Sequence, residues 1–172
     1  MLTYVHHASL SNKRQTGLTL VELIVTLVIL SLLASVALPY AEITVRRDKE
    51  LELKRSLRTI RTAIDEFHED WLAGRVPKFS DAASEDGYPK TLEILVEGVE
   101  TAGASGKIRR YLRRIPKNPF ADPELEAEEQ WQYRSYQDEH DSDSWGGQDI
   151  FDITVPVDID RKAINGTQYR DW

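Results

Sequence analysis

The sequence predicts an α+β protein: one long N-terminal helix packed on a small antiparallel β-sheet, with a short helix and loops. Three observations carry that prediction. From Leu23 to Ala41 there are 19 consecutive residues without a formal charge, mostly Leu, Ile, Val and Ala. Beyond them Leu53, Leu57, Ile60, Ile64, Phe67 and Trp71 recur at steps of four and three, which places them on one stripe of a helix. Late in the chain Phe151, Ile153, Val155, Val157 and Ile159 alternate with polar residues, the period of a strand with one buried face.

The apolar run is long enough to cross a bilayer core of about 30 Å at about 1.5 Å per residue. Lys13, Arg14 and the small-residue site Thr16-Gly17 precede it. A secretory signal peptide places its cleavage site after the apolar run, so the order of parts argues against one. Glu22 lies inside the apolar segment, counted from Leu18, where an ionised carboxylate is costly and is usually kept because it pairs with something. No basic residue lies within helical reach on its C-terminal side. Its natural partner is therefore a positive group on another chain, and a free amine at the start of a neighbouring helix fits, provided the precursor is cut nearby.

The helical pattern continues to about Leu72, with Glu50 to Lys54 and Arg61 to Asp65 at spacings that support an exposed face. Gly74 and Pro77 end it. Residues 80–87 read as a loop. Thr91 to Glu97 reads as a short helix capped by Thr91 and closed near Gly98, and Gly103 and Gly106 mark another loop. The aromatic-rich segment 130–136 suits a strand. Pro156 interrupts the alternation at 151–159, which makes that segment an edge strand or two shorter ones. Asn165-Gly166 signals a turn.

At 172 residues the chain accommodates one domain plus an appendage. The net charge of -7 argues against a protein that coats nucleic acid. There is no cysteine, so a disulfide framework and any cysteine-based nucleophile or metal site are excluded. No Ser/His/Asp set, phosphate loop or dinucleotide fingerprint is present, and an enzyme is not expected.

The stretch Lys13-Arg14-Gln15-Thr16-Gly17-Leu18-Thr19-Leu20-Val21-Glu22 resembles the cleavage and methylation site of type IV pilin precursors and of the pseudopilins of type II secretion. The resemblance implies that a prepilin peptidase cuts after Gly17, that Leu18 becomes the methylated N-terminus, and that Glu22, then the fifth residue, assists assembly. Pro39 falls where that family places a proline that kinks the long helix. Leu18 stands where phenylalanine is usual, and the leader is long for a pseudopilin. The implied organisation is a leader at 1–17, a transmembrane or filament-core helix at 18–41, the amphipathic half of the same helix at 42–72, and the rest of the α+β domain at 73–172. It also implies a single pass through a bacterial inner membrane with a periplasmic C-terminal domain. The positive-inside count opposes that orientation, with Lys13 and Arg14 before the span and Arg46, Arg47, Lys49, Lys54 and Arg55 after it.

Further along, Tyr88-Pro89-Lys90, then residues 111–120, then Trp131-Gln132-Tyr133-Arg134, then Asp149-Ile150-Phe151-Asp152 follow the motif order of the major pseudopilin of type II secretion. That family often binds calcium in a C-terminal loop, which implies Ca2+ and puts forward Asp141, Asp143, Asp149 and Asp152 as ligands, from a pool that includes Asp138, Asp158 and Asp160. An EF-hand reading of Asp141, Asp143, Gly146 and Asp152 is weak on spacing, because Trp145 occupies a ligand position and Asp152 is shorter than the usual Glu. The basic run from Lys107 to Arg114 has the look of a phosphate-tracking surface, but the negative chain favours a subunit contact or a solvated face. Asp65, Glu66, His68, Glu69 and Asp70 fan around a helix and read as a charged face rather than a metal site.

The function expected is that of a structural subunit of a periplasmic pseudopilus. Its partners would be further copies of itself, other pseudopilins, the prepilin peptidase and an inner-membrane assembly platform, and nucleic acid is not expected. A pilin or minor pilin for adhesion, motility or DNA uptake shares the same N-terminus. An uncleaved, signal-anchored periplasmic binding domain is the reading from a different class.

Overall fold

The computed structural model describes residues 17–103, 107–159 and 161–172, without the side chains of residues 36–39. The leader up to Thr16, Gly106, Asp160 and the side chain of Pro39 lie outside the described residues. Two compact units divide the chain, one up to Ile43 and one from Thr44 to Trp172.

Helix α1 spans Leu20–Leu72, 53 residues. In the first unit every described side chain from Leu20 to Ser35 is exposed. In the second, the expected stripe is the floor of the core: Leu53, Leu57, Ile60, Ile64 and Phe67 are buried, and Trp71 is partly so. The helix closes as its Gly74 predicts. With Gly74 at φ 71, the Gly74 N–H donates to the Trp71 carbonyl at 3.0 Å and the Arg75 N–H to the Asp70 carbonyl at 2.8 Å, which satisfies carbonyls the last turn would leave open.

Helix α2, Leu92–Glu97, buries Leu92 and Leu95 against that floor. Thr91 sits at its N-cap in an extended conformation, but its side chain makes no capping hydrogen bond. The expected cap is thus present by position and not by chemistry.

Four short strands form two antiparallel pairs rather than one sheet. Strand β1, Val99–Glu100, pairs with β2, Ile108–Arg109, in a hairpin that the loop reading around Gly103 and Gly106 did not anticipate. Strand β3, Gln132–Arg134, pairs with β4, Asp152–Thr154, with Tyr133 opposite Ile153. The strand expected over 130–136 is therefore three residues long. The alternation expected through Ile159 also stops early: Pro156 supplies no donor, Val157–Ile159 form a 3₁₀ turn, and Val157 is exposed.

The two helix-face pairs expected from sequence do not form. Glu50 turns inward, where its Oε1 accepts the Tyr169 hydroxyl at 3.0 Å and the Ile164 N–H at 2.9 Å. Arg61 donates to Asp152 at 2.7 Å and to the Ile153 carbonyl at 2.9 Å. An exposed i,i+4 pair contributes about 0.3–0.5 kcal/mol, whereas partners fixed by the fold satisfy groups that burial would otherwise penalise. The Asn165-Gly166 turn forms as expected: the Ala163 N–H donates to the Thr167 carbonyl at 2.7 Å, and Tyr169 is carried into the core to stack on Phe120.

Gly87 illustrates how tightly the helix end is packed. It has φ 83, and a Cβ there would lie 2.3 Å from the Trp71 ring. At Gly74, φ 71, a Cβ would meet nothing within 4 Å. Gly74→Ala is expected to cost about 1 kcal/mol from backbone conformation alone, and Gly87→Ala at least about 2 kcal/mol more, in urea denaturation. Equal losses at the two positions would show that the ring yields. Ile60→Ala, at the buried centre of the stripe, is expected to cost about 3 kcal/mol.

Candidate functional site

The start of α1 is built by local chemistry. Thr19 is the residue before the helix, and its Oγ1 accepts the Glu22 N–H at 3.2 Å while its carbonyl accepts the Leu23 N–H at 3.1 Å. Thr19 and Glu22 thus stand at the N-cap and third helical positions, the spacing of a capping box. The Glu22 carboxylate lies in the first turn, at the positive end of the helix dipole. From Leu18 to Ala41 it is the one formal charge in the sequence.

Three hydroxyls of the apolar run are satisfied within it. The hydroxyls of Thr26, Ser31 and Ser35 donate to the carbonyls of Leu23, Val28 and Leu32 at 2.8, 3.1 and 2.7 Å. None of them needs water, so a helix with these residues can enter hydrocarbon. It is also long and apolar enough to cross a membrane. Gly17 and Leu18 precede the helix and are exposed, and a Cβ on Gly17 would meet nothing within 4 Å among the described residues. No packing among the described residues requires glycine there.

Residues 12–38 match the prokaryotic N-terminal methylation motif. No curated protein and no solved structure matches the chain. The methylation motif takes in Gly17, Leu18 and Glu22, indicates an N-terminus of the type IV pilin-like kind, and ends one residue before Pro39. Helix α1 runs on through residue 39 without a break in its assignment.

The four aspartates put forward for calcium are not brought together. Asp152 receives two guanidiniums, Arg61 at 2.7 Å and Arg134 at 2.9 Å. Asp143 pairs with Arg170 at 2.5 Å. Asp141 is exposed beside His140. Asp149 is fully buried; its Oδ1 accepts the Tyr136 N–H at 2.9 Å, and its Oδ2 has no hydrogen-bond partner. Asp138, from the wider pool, caps its own loop by accepting the N–H groups of Ser135 and Gly146 at 2.7 and 3.0 Å. Only the Asp149 oxygen invites a cation, and among the described residues no group of three or more His, Asp or Glu side chains converges. As arranged, the four do not fit a shared Ca2+.

The acidic end of α1 does not converge either. His68 is stacked on Tyr88 with centroids 4.2 Å apart, while Asp65, Glu66 and Glu69 are exposed. Asp70, which the sequence groups with them on a charged face, is instead buried. It is 1% exposed; Arg75 donates to its Oδ1 at 2.7 Å, and Arg109 and the Tyr111 hydroxyl reach its Oδ2 at 2.6 and 3.0 Å. Burial and this carboxylate hold the Tyr111 phenol well above its ordinary range. Arg109 belongs to the basic run, so one member of that run, itself exposed, ties β2 to the buried Asp70 at the helix end. Lys107, Arg110, Arg113 and Arg114 remain exposed. The signal available in the sequence was an aspartate four residues before Gly74, too common to be read.

Asp70→Ala removes the acceptor shared by three donors, two of them guanidiniums that can regain water. A loss of about 2 kcal/mol is expected in thermal or urea unfolding. A change below about 0.5 kcal/mol would mean that the pairs are surface-like in worth.

Proposed function

We propose that this chain is a major-type pseudopilin: a structural subunit, cleaved and methylated at its N-terminus, of the periplasmic filament of a type II secretion system. The observation that supports this most is the N-terminal methylation motif, lying on an exposed Gly17–Leu18 bond that leads into an apolar helix with one charge. The order of motifs from Tyr88 to Asp152 weighs toward the secretion pseudopilus over a pilus for adhesion or motility.

In this reading the leader is cytoplasmic and a prepilin peptidase cuts after Gly17. A glycine that no contact among the described residues requires is explained if the protease pocket admits no side chain there. Cleavage turns Leu18 into a positively charged N-terminus. The membrane-anchored pool then supplies subunits to an assembly platform, and the apolar segments leave lipid to bundle with one another. Inside that bundle Glu22 of one copy meets the N-terminal amine of the next. In a medium of low dielectric the pair is strong when complete and costly when one partner is missing, which sets the register of addition.

Intact-mass spectrometry of protein from the membranes of a host with a prepilin peptidase is expected to give a chain that begins at Leu18 and carries one added methyl. A mass that still includes residues 1–17 would replace this reading with a signal-anchored domain. Gly17→Val is expected to leave the precursor uncut. Glu22→Ala is expected to be cut and inserted normally while filament yield falls by about ten-fold or more, as a buried amine without its counter-charge requires. Normal filaments from that variant would refute the pairing.

A further inference from the structure

Once the filament reading is granted, on which this inference rests, α1 shows how neighbouring copies register outside the apolar bundle. The part of α1 in the second unit is charged in two blocks. Lys54, Arg55 and Arg58 lie toward its start and Asp65, Glu66 and Glu69 toward its end. All six are exposed, and none of them forms an ion pair among the described residues. The nearest internal candidates are spent elsewhere: Arg61 on Asp152, Glu50 on Tyr169 and Ile164. Lys54 covers the Trp172 ring at 4.0 Å with its ammonium still at the surface. Desolvation, Glu69 and Asp152 hold the Asp65 carboxyl above its ordinary range, the condition a cation from outside would relieve.

The two blocks are related by a single spacing. Eleven residues separate Lys54 from Asp65, Arg55 from Glu66 and Arg58 from Glu69. Eleven residues are about three turns, so each pair shares a face, at an axial distance of about 16 Å. An offset of seven brings two opposite-charge pairs together, Asp48 with Arg55 and Arg58 with Asp65, but sets Arg47 against Lys54 and Lys54 against Arg61; an offset of fourteen brings one, Arg55 with Glu69. The remaining exposed acids of the basic half, Asp48 and Glu52, meet Thr59 and Ala63 at the eleven-residue offset, so they add no repulsion. Arg47 meets Arg58, the one like-charge encounter, between long side chains that can diverge into solvent.

We propose that this face is an interface with a second copy of the chain, a different neighbour from the one whose amine Glu22 meets: parallel copies turn it toward a common axis and shift by eleven residues, about 16 Å, so that the basic block of one lies beside the acidic block of the other. Loss of Lys13 and Arg14 with the leader takes the net charge from -7 to -9, so copies repel as wholes. Close packing then requires local complementarity, which this shift supplies. The same basic block could instead meet anionic lipid headgroups, and the experiment separates the two.

The chain lacks cysteine, so Leu51→Cys with Thr62→Cys places two thiols at the same eleven-residue offset on uncharged, exposed positions of the face. A short bis-maleimide applied to filaments of this variant is expected to yield a ladder of dimers and higher species. Arg55→Glu with Arg58→Glu in that background is expected to lower the ladder about ten-fold, the sum of pairs worth a few tenths of a kcal/mol to about 1 kcal/mol each. Adding Glu66→Arg with Glu69→Arg is expected to restore it. These side chains are exposed, so unfolding curves of all variants should coincide.

A ladder that survives the first pair of substitutions, or that the full exchange fails to restore, overturns the proposal. So does a survival of the ladder combined with lost binding to vesicles containing anionic lipid, which would assign the basic block to the membrane. If the correctly processed wild type forms no filament at all, the reading under Proposed function fails and the interface fails with it.

Discussion

Burial of one stripe of α1 is the interaction on which the second unit depends. Leu53, Leu57, Ile60, Ile64 and Phe67 present a continuous apolar surface, and α2, the β3–β4 pair and the segment around Tyr169 each supply the side chains that cover it. The strands are two or three residues long, too short to stand alone as hairpins. Their hydrogen bonds close a structure that the helix has already organised. This explains why the chain after residue 90 can be mostly loop and still hold one core: each loop is pinned where it crosses the helix rather than by a sheet of its own.

The pins are charged, and they are arginines. Arg46, Arg61, Arg75, Arg109, Arg134 and Arg170 supply the cation in each Lys/Arg ion pair among the described residues, while Lys49, Lys54 and Lys78 lie over the faces of Phe120, Trp172 and Trp71. The division follows from the head groups. A planar fork can hold two acceptors at fixed angles, as Arg61 does with Asp152 and the Ile153 carbonyl. A hydrated ammonium serves better as a point charge over a ring.

What the sequence made legible was whatever depends on near neighbours. The apolar run, the 3–4 stripe, the close of α1 at Gly74 and the turn at Asn165-Gly166 each follow from residues within a few positions of one another. The Thr19–Glu22 spacing belongs to the same class, although the glutamate drew notice for its charge rather than its position in the first turn. What stayed hidden is long-range. Glu50 and Lys54 have the spacing of a helix pair, and nothing nearby indicates that Tyr169 and Ile164 will claim the glutamate across more than a hundred residues. The β1–β2 pair is concealed for a related reason: one of its strands lies in a basic run that reads as surface, and the buried Asp70 that fixes Arg109 gives no local sign of burial. The aspartates put forward for calcium fail as a set because sequence shows carboxylates without showing which arginines arrive beside them.

These carboxylates sort into two populations, and the sorting bears on assembly. Asp70, Asp152 and Glu50 are drawn into the unit, and each takes an arginine with it. A folded unit that neutralises these three acids with its own arginines, Asp149 being the buried acid without one, leaves most of the uncompensated charge on the surface. On the part of α1 in the second unit Asp65, Glu66 and Glu69 collect beyond residue 64 and the unpaired bases lie before residue 59, with Asp48 and Glu52 among them. Within one copy the blocks are too far apart along the helix to pair, so neither can be neutralised by a side-chain rearrangement. A helix of this kind is complementary to a shifted copy of itself, whereas a uniformly acidic helix would only repel one. The apolar segment suits α1 to hydrocarbon, but lipid tails and leucines are nearly equivalent surroundings, so its apolarity contributes little to association or to register. In the filament proposed above, register comes from charges, Glu22 within the bundle and the two blocks on the amphipathic half beyond it.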